Sequence, residues 1–162
     1  MSTTRAIIGS LAALAFTTFP ASCSDDHTEE NPNAEACEHI RAAGGPVGVT
    51  AAATSSATAP ELKADHKRYD VTMGTLAGGK GGFLTFAAAE AGDHIFFTDA
   101  PVQLTVKSPS GADIAAESSA ASIAECTEVK GRHVYPLQVG THVIGVTTTA
   151  DRVGFVVEGH AH

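Results

Sequence analysis

Tryptophan is absent from this 162-residue chain, and basic residues are scarce, with 10 Lys and Arg against 18 Asp and Glu and a formal charge of -8. The first absence removes the flat rings on which sugar-binding proteins stack their ligands. The second argues against nucleic acid and anionic headgroups as partners, because both are held by clustered cations. No apolar run reaches the twenty or so residues that span a bilayer. Neither HExxH, CxxC nor Gly-x-Ser-x-Gly occurs, and Asp65, Asp70, Asp93, Asp99 and Asp113 are dispersed rather than set at calcium-loop spacing. These absences leave no motif-level case for an enzyme, and the chain is expected not to be one.

What is present begins with address. After Arg5, residues 6–19 (AIIGSLAALAFTTF) carry no charge, and Pro20-Ala21-Ser22 lead to Cys23. One basic residue, a short apolar segment and small residues before a cut are the layout of a secretory signal, so residues 1–22 are expected to be a removable signal peptide. Ala21 and Ser22 directly before Cys23, with a hydrophilic stretch after it, resemble the lipobox of bacterial lipoproteins. Pro20 stands where that family usually has a branched apolar residue, and a conventional cut after Cys23 is the alternative. The resemblance implies that Cys23 is acylated, that the membrane is a partner through the lipid, and that the protein sits in the cell envelope. Ser24 is not the acidic residue that retains some lipoproteins at the inner membrane, so the outer membrane is expected, facing the periplasm or the exterior.

Three cysteines in an exported chain leave one over. With Cys23 acylated, Cys37 and Cys126 remain to form a disulfide, suited to an oxidising compartment. Closing a loop of about ninety residues, it would contribute roughly 4 kcal/mol in the chain-entropy account. The competing reading makes Cys37, in Cys37-Glu38-His39, a metal ligand.

Residues 23–36 are polar and acidic, with no aromatic and no aliphatic larger than alanine, and are expected to be a flexible lipidated tether. The domain is expected over 37–162, with its core at about 63–158 and one helix near 35–43. Small residues only, at 50–60 (TAAATSSATAP), indicate a long loop, since Thr and Ser weaken an alanine helix. Beyond it, apolar residues alternate: Tyr69, Val71 and Met73; Leu84, Phe86 and Ala88; Ile95 and Phe97; Val102, Leu104 and Val106; Val143 with Gly145; Val153, Phe155 and Val157. Period-two patterns separated by Gly-, Pro-, Ser- and Asp-rich turns indicate short strands with one buried face. The fold class expected is all-β, a single antiparallel β-sandwich, with 114–124 as a short helix or an irregular edge strand.

The order Gly82-Phe83-Leu84-Thr85-Phe86, Ala91-Gly92-Asp93-His94-Ile95-Phe96-Phe97, Val102-Gln103-Leu104-Thr105-Val106 and Leu137 through Val146, with Gly140-Thr141-His142, resembles the bacterial pre-peptidase C-terminal type of domain. The resemblance covers roughly residues 65–158 and is one of strands and turns. It implies a jelly-roll sandwich acting as an accessory or binding module, and it carries over no catalytic residue. The protein or small-ligand partner of such a module is not identified by these residues.

Eight histidines are the remaining unusual feature: His27, His39, His66, His94, His133, His142, His160 and His162. Neutral imidazole is a common ligand of zinc and copper. The candidate ligands are His39, His66, His133, His160 and His162, with Asp65 or Asp70 as an added carboxylate. On the competing reading these are solvated or hydrogen-bonded side chains. His94 and His142 are expected within strands, facing away from Ile95 and Val143. A hydrolase is the reading with least support: Ser110 is explained by its Pro-Ser-Gly turn, Cys126 with His133 by a disulfide, and Glu125 with Glu128 lack an aromatic groove.

Overall fold

Asn31 and Pro32 start the first element. In a computed structural model, which describes residues 31–42 and 45–159, the Asn31 side chain accepts a hydrogen bond from the Asn33 amide at 3.0 Å, and Pro32 takes the first turn of helix α1 (Pro32–Arg41). An N-cap acceptor and a proline that needs no donor are what a helix start requires. The helix therefore begins inside the stretch 23–36 expected to be tether, and the correction applies to residues 32–36. Ala36, Cys37 and Ile40 are its buried face. Residues 1–30, with the expected signal and Cys23, lie outside the described residues.

Among the described residues twelve strands follow: β1 (Val47–Thr50), β2 (Glu61–Leu62), β3 (Tyr69–Thr72), β4 (Gly74–Leu76), β5 (Gly79–Ala88), β6 (Gly92–Thr98), β7 (Val102–Lys107), β8 (Asp113–Ile114), β9 (Ser118–Ala120), β10 (Gly131–Leu137), β11 (Gly140–Thr148) and β12 (Arg152–Gly159). They form two packed sheets, ordered β1-β3-β12-β6-β10-β9 and β2-β5-β11-β7-β8, with β4 also on β5. Within them, β3-β12-β6-β10 facing β5-β11-β7-β8 is the four-on-four order of a jelly roll. The sheets are mixed, because β1 pairs with β3 and β2 with β5 in parallel. The chain alternates between sheets along β1, β2, β3 and β5, so each returns beside its predecessor only after a crossing through the other sheet, and arrives in the same direction. The stretch 114–124 takes its strand alternative: β9 is an exposed edge on β10.

Two apolar clusters result. Between the sheets lie Leu84, Phe86, Val106, Ile144 and Val146 against Tyr69, Val71, Phe96, Tyr135, Val153, Phe155 and Val157. On the outer face of the first sheet, Ile95, Phe97, Val134 and Val156 pack under Ala36, Cys37 and Ile40 of α1, with Cys126 and Val129. The central strands β6 and β12 are thus covered on both faces, and Val153 through Glu158 are buried without a break. The Cys37–Cys126 disulfide, with Cα atoms 6.0 Å apart, ties α1 to the segment before β10. That bond consumes Cys37, so it is not a metal ligand. In β11 the expected register is reversed: His142, Ile144 and Val146 are buried, while Val143 and Gly145 are only half covered. Both parities of that strand are apolar, and the bulkier set took the interior.

Candidate metal centre

Glu158 lies opposite Ile95 across the β12–β6 pair and on the same outward face as Val156, under α1. It is 3% exposed. Its Oε2 is 3.4 Å from His66 Nδ1, and its buried Oε1 has no hydrogen-bond partner. Burial, and then the neighbouring Glu35 carboxylate, push its carboxyl up to about 7, partly offset by His66.

Helix α1 brings two donors to this carboxylate. Glu35 and His39 are one helical turn apart and face each other, with His39 Nε2 3.6 Å from Glu35 Oε1. The third contributor is His66, in the loop before β3. It is the only non-glycine of the described residues with a positive φ, 56°. That left-handed backbone costs of order 1–3 kcal/mol outside Gly, Asn and Asp, and it sets Nδ1 2.5 Å from Glu35 Oε1. The His39 and His66 rings are 5.7 Å apart at 48°. One donor atom from each of Glu35, His39, His66 and Glu158 lies within 4.8 Å of the other three. Ligands around one ion with bonds of 2.0–2.1 Å stand about 3.3 Å apart in a tetrahedron. Seating an ion therefore requires small rearrangements, chiefly the parting of His66 from Glu35.

The sequence therefore located half of this cluster. His39 and His66 meet, while His133 belongs elsewhere. On β10 it has the same parity as Tyr135 and pairs with Phe96, both in the inter-sheet core, so it stands on the face of the first sheet opposite Glu158. Its Nδ1 is 3.1 Å from Ser119 Oγ, and burial holds its pKa below the ordinary histidine value. His160 and His162 lie outside the described residues, as does His27. Asp65 accepts from the Tyr69 hydroxyl at 3.1 Å, and Asp70 is paired with Arg68 and Arg152. Neither carboxylate joins the site. Burial first, then Asp65, raises the Tyr69 hydroxyl to about 12.

His94 and His142 do face away from Ile95 and Val143, but they are buried rather than solvated, with ring nitrogens at the carbonyls of Gly92 (3.0 Å) and Gln138 (2.7 Å). Glu125 and Glu128 bind Asn31 with Asn33 and Arg41 respectively, and those hydrogen bonds lower both their pKa values. They fasten α1.

Two members of the cluster, Glu35 and Glu158, are not among the candidates the sequence offers. Glu35 had a signal, its four-residue spacing from His39 at the start of a predicted helix. Glu158 had none, since a carboxylate ending an apolar strand reads as a solvated terminus until the helix is laid over it. Two imidazoles and two carboxylates suit a borderline divalent ion better than a soft or purely oxygen-seeking one. No protein-family model matches the chain, and no curated protein shows significant similarity to it.

Proposed function

We propose that this chain is an exported lipoprotein, anchored through Cys23, whose β-sandwich binds a divalent metal ion at the seam between α1 and the first sheet and turns over no substrate. One observation carries the metal reading: Glu158 is buried, one of its oxygens is unpartnered, and two imidazoles and a second carboxylate converge on it. A carboxyl without hydrogen-bond partners is costly to bury. A cation would supply what the fold leaves out.

Export and anchoring are supported by the cysteines. Cys37 and Cys126 are bonded to each other, which leaves Cys23 as the odd thiol behind a signal-like segment. The absence of turnover is supported by what the former catalytic candidates do: Cys126 is in a disulfide and Ser110 bonds Ser108 in a turn.

Calorimetric titration of the purified full-length protein with zinc(II) tests the site. Binding of one equivalent, abolished in Glu158→Gln and His39→Ala, is the expected result. No binding leaves a protein-binding module of the kind the pre-peptidase resemblance implies. Incorporation of labelled palmitate, lost in Cys23→Ser, tests the anchor, and a free Cys23 thiol in the mature protein would remove it.

A further inference from the structure

Resting on that reading of the seam, we infer that the ion is of the zinc(II) class and that all four side chains close its coordination shell, making the site a holding site that clamps α1 to the sheet. Charge favours a divalent ion. Glu35 and Glu158 together offset two positive charges, so an ion such as zinc(II) makes the cluster neutral, whereas copper(I) would leave a net negative charge beside the buried Glu158 carboxylate.

Donor chemistry points the same way. Copper(I) seeks thiolate or thioether sulfur. Cys37 and Cys126 are bonded to each other and Met73 is buried between the sheets, on the other side from this seam. Calcium takes six to eight oxygens and magnesium an octahedral, largely hydrated shell. Two of the four residues here present nitrogen.

Closure follows from where the ligands sit. Glu158 is covered from above by the helix, and Glu35 and His39 have side chains 24% exposed each, against 63% for His66. His66 is thus the outermost ligand, on the side from which an ion enters. Four protein ligands are the mark of a holding site, whereas hydrolytic zinc sites have three and an open position. Because the ligands come from α1, from the loop before β3 and from β12, a bound ion adds a further tie to the packing of α1 on the sheet and the hydrogen bond from Arg68 to the Ile40 carbonyl.

Cobalt(II) is the probe, added to the full-length protein and followed by visible absorption. The expected result is one equivalent with the intense bands of four-coordinate cobalt, displaced by zinc(II) and unaffected by excess calcium or magnesium. His66→Ala, an exposed change that leaves the core packing alone, should stay folded and bind at least about tenfold more weakly, with its bands shifted because water takes the vacated position. Replacing His160 and His162 by alanine should change nothing. One equivalent of cobalt with the weak bands of six-coordination in the unaltered protein would overturn the closed shell while leaving the metal site standing. No bound cobalt or zinc would overturn both. Affinity and bands that are unchanged in His66→Ala, or that are lost with the tail histidines, would place the ion elsewhere and overturn the inference.

Discussion

Arg68 Nη1 donates a 2.6 Å hydrogen bond to the carbonyl of Ile40, satisfying a backbone acceptor in the last turn of α1 from a residue that enters the first sheet. The same guanidinium donates through Nε to Asp70 at 2.8 Å and through Nη2 to Asp99 at 2.7 Å, and Asp99 in turn accepts from the Gly154 amide. A Cβ at Gly154 would stand within 3 Å of both Asp99 and Arg68, so a side chain there would push the ends of these two residues out of their present bonds. This network fixes the helix that carries Glu35 and His39.

Replacing Arg68 by alanine should therefore destabilise the protein by about 2–4 kcal/mol, since it leaves the largely buried Asp70 carboxylate with only the exposed Arg152 and strands the Ile40 carbonyl. Lysine, a single point of charge, cannot make three directed bonds and should restore little. Urea unfolding of the two variants checks both statements; a midpoint unchanged in Arg68→Ala would mean that the network is a surface feature.

The disulfide should be the largest single covalent contribution. Residues 37 and 126 are separated by 89 positions, and a loop of that size corresponds to about 4 kcal/mol in the chain-entropy account. The double variant Cys37→Ser, Cys126→Ser should keep the sandwich but unfold at lower denaturant. Hydrogen exchange should show the loss concentrated in α1, whose remaining ties are side-chain hydrogen bonds, among them those of Arg68, of Arg41 with Glu128 and of Asn31 and Asn33 with Glu125, and a small apolar cluster. Equal loosening of β5 and β11 would contradict that division.

Glu158 predicts a specific pH dependence of the protein kept metal-free by a chelator. Its folded-state pKa lies above the ordinary value, at about 7, so the folded protein holds a proton that the unfolded chain releases. Stability should then be greatest below the unfolded value and fall as pH rises to about 7, by on the order of 2 kcal/mol. Glu158→Gln has no proton to lose at this position, and its stability should decline less over the same interval. Parallel profiles of the two proteins would show that the carboxyl is solvated in the native state.

Gly81→Ala should cost several kcal/mol, because the added Cβ meets the Val146 carbonyl oxygen across the β5–β11 pair, a backbone atom that cannot step aside. Gly48→Ala is the control: nothing lies within 4 Å of the new methyl on β1. Its thermal midpoint should stay within a degree or two of the parent. A comparable loss in both would point to strand propensity rather than to the collision.

The fold was legible because its signal is local. Alternation in 84–88, 102–106 and 153–157 is a direct consequence of side chains pointing to opposite faces of a strand, and the turn residues between them need no tertiary information. Where both parities are apolar the signal fails. Ile95, Phe96 and Phe97 are all fully buried because α1 covers one face of β6 and the second sheet the other, and β11 took the register that the alternation of Val143 and Gly145 did not suggest. The helix start is obscured for a different reason: the acidic composition of 24–36 masks Asn31-Pro32, which is by itself an N-cap followed by a residue suited to the first turn.

By itself, the sequence determined an all-β sandwich of short strands, an odd number of cysteines behind a signal-like segment and the presence of one helix near Cys37, while the pairing of Cys37 with Cys126 stood beside a metal-ligand alternative until the structure closed it. Each of these depends on composition, short-range periodicity or simple counting. Only the tertiary structure decided the convergence of Glu35, His39, His66 and Glu158, because the distances that matter there are between α1, a loop and the last strand, far apart in the chain. It also separated His133 from them, since strand parity, set by which face of the first sheet met the second, put that ring on the opposite side.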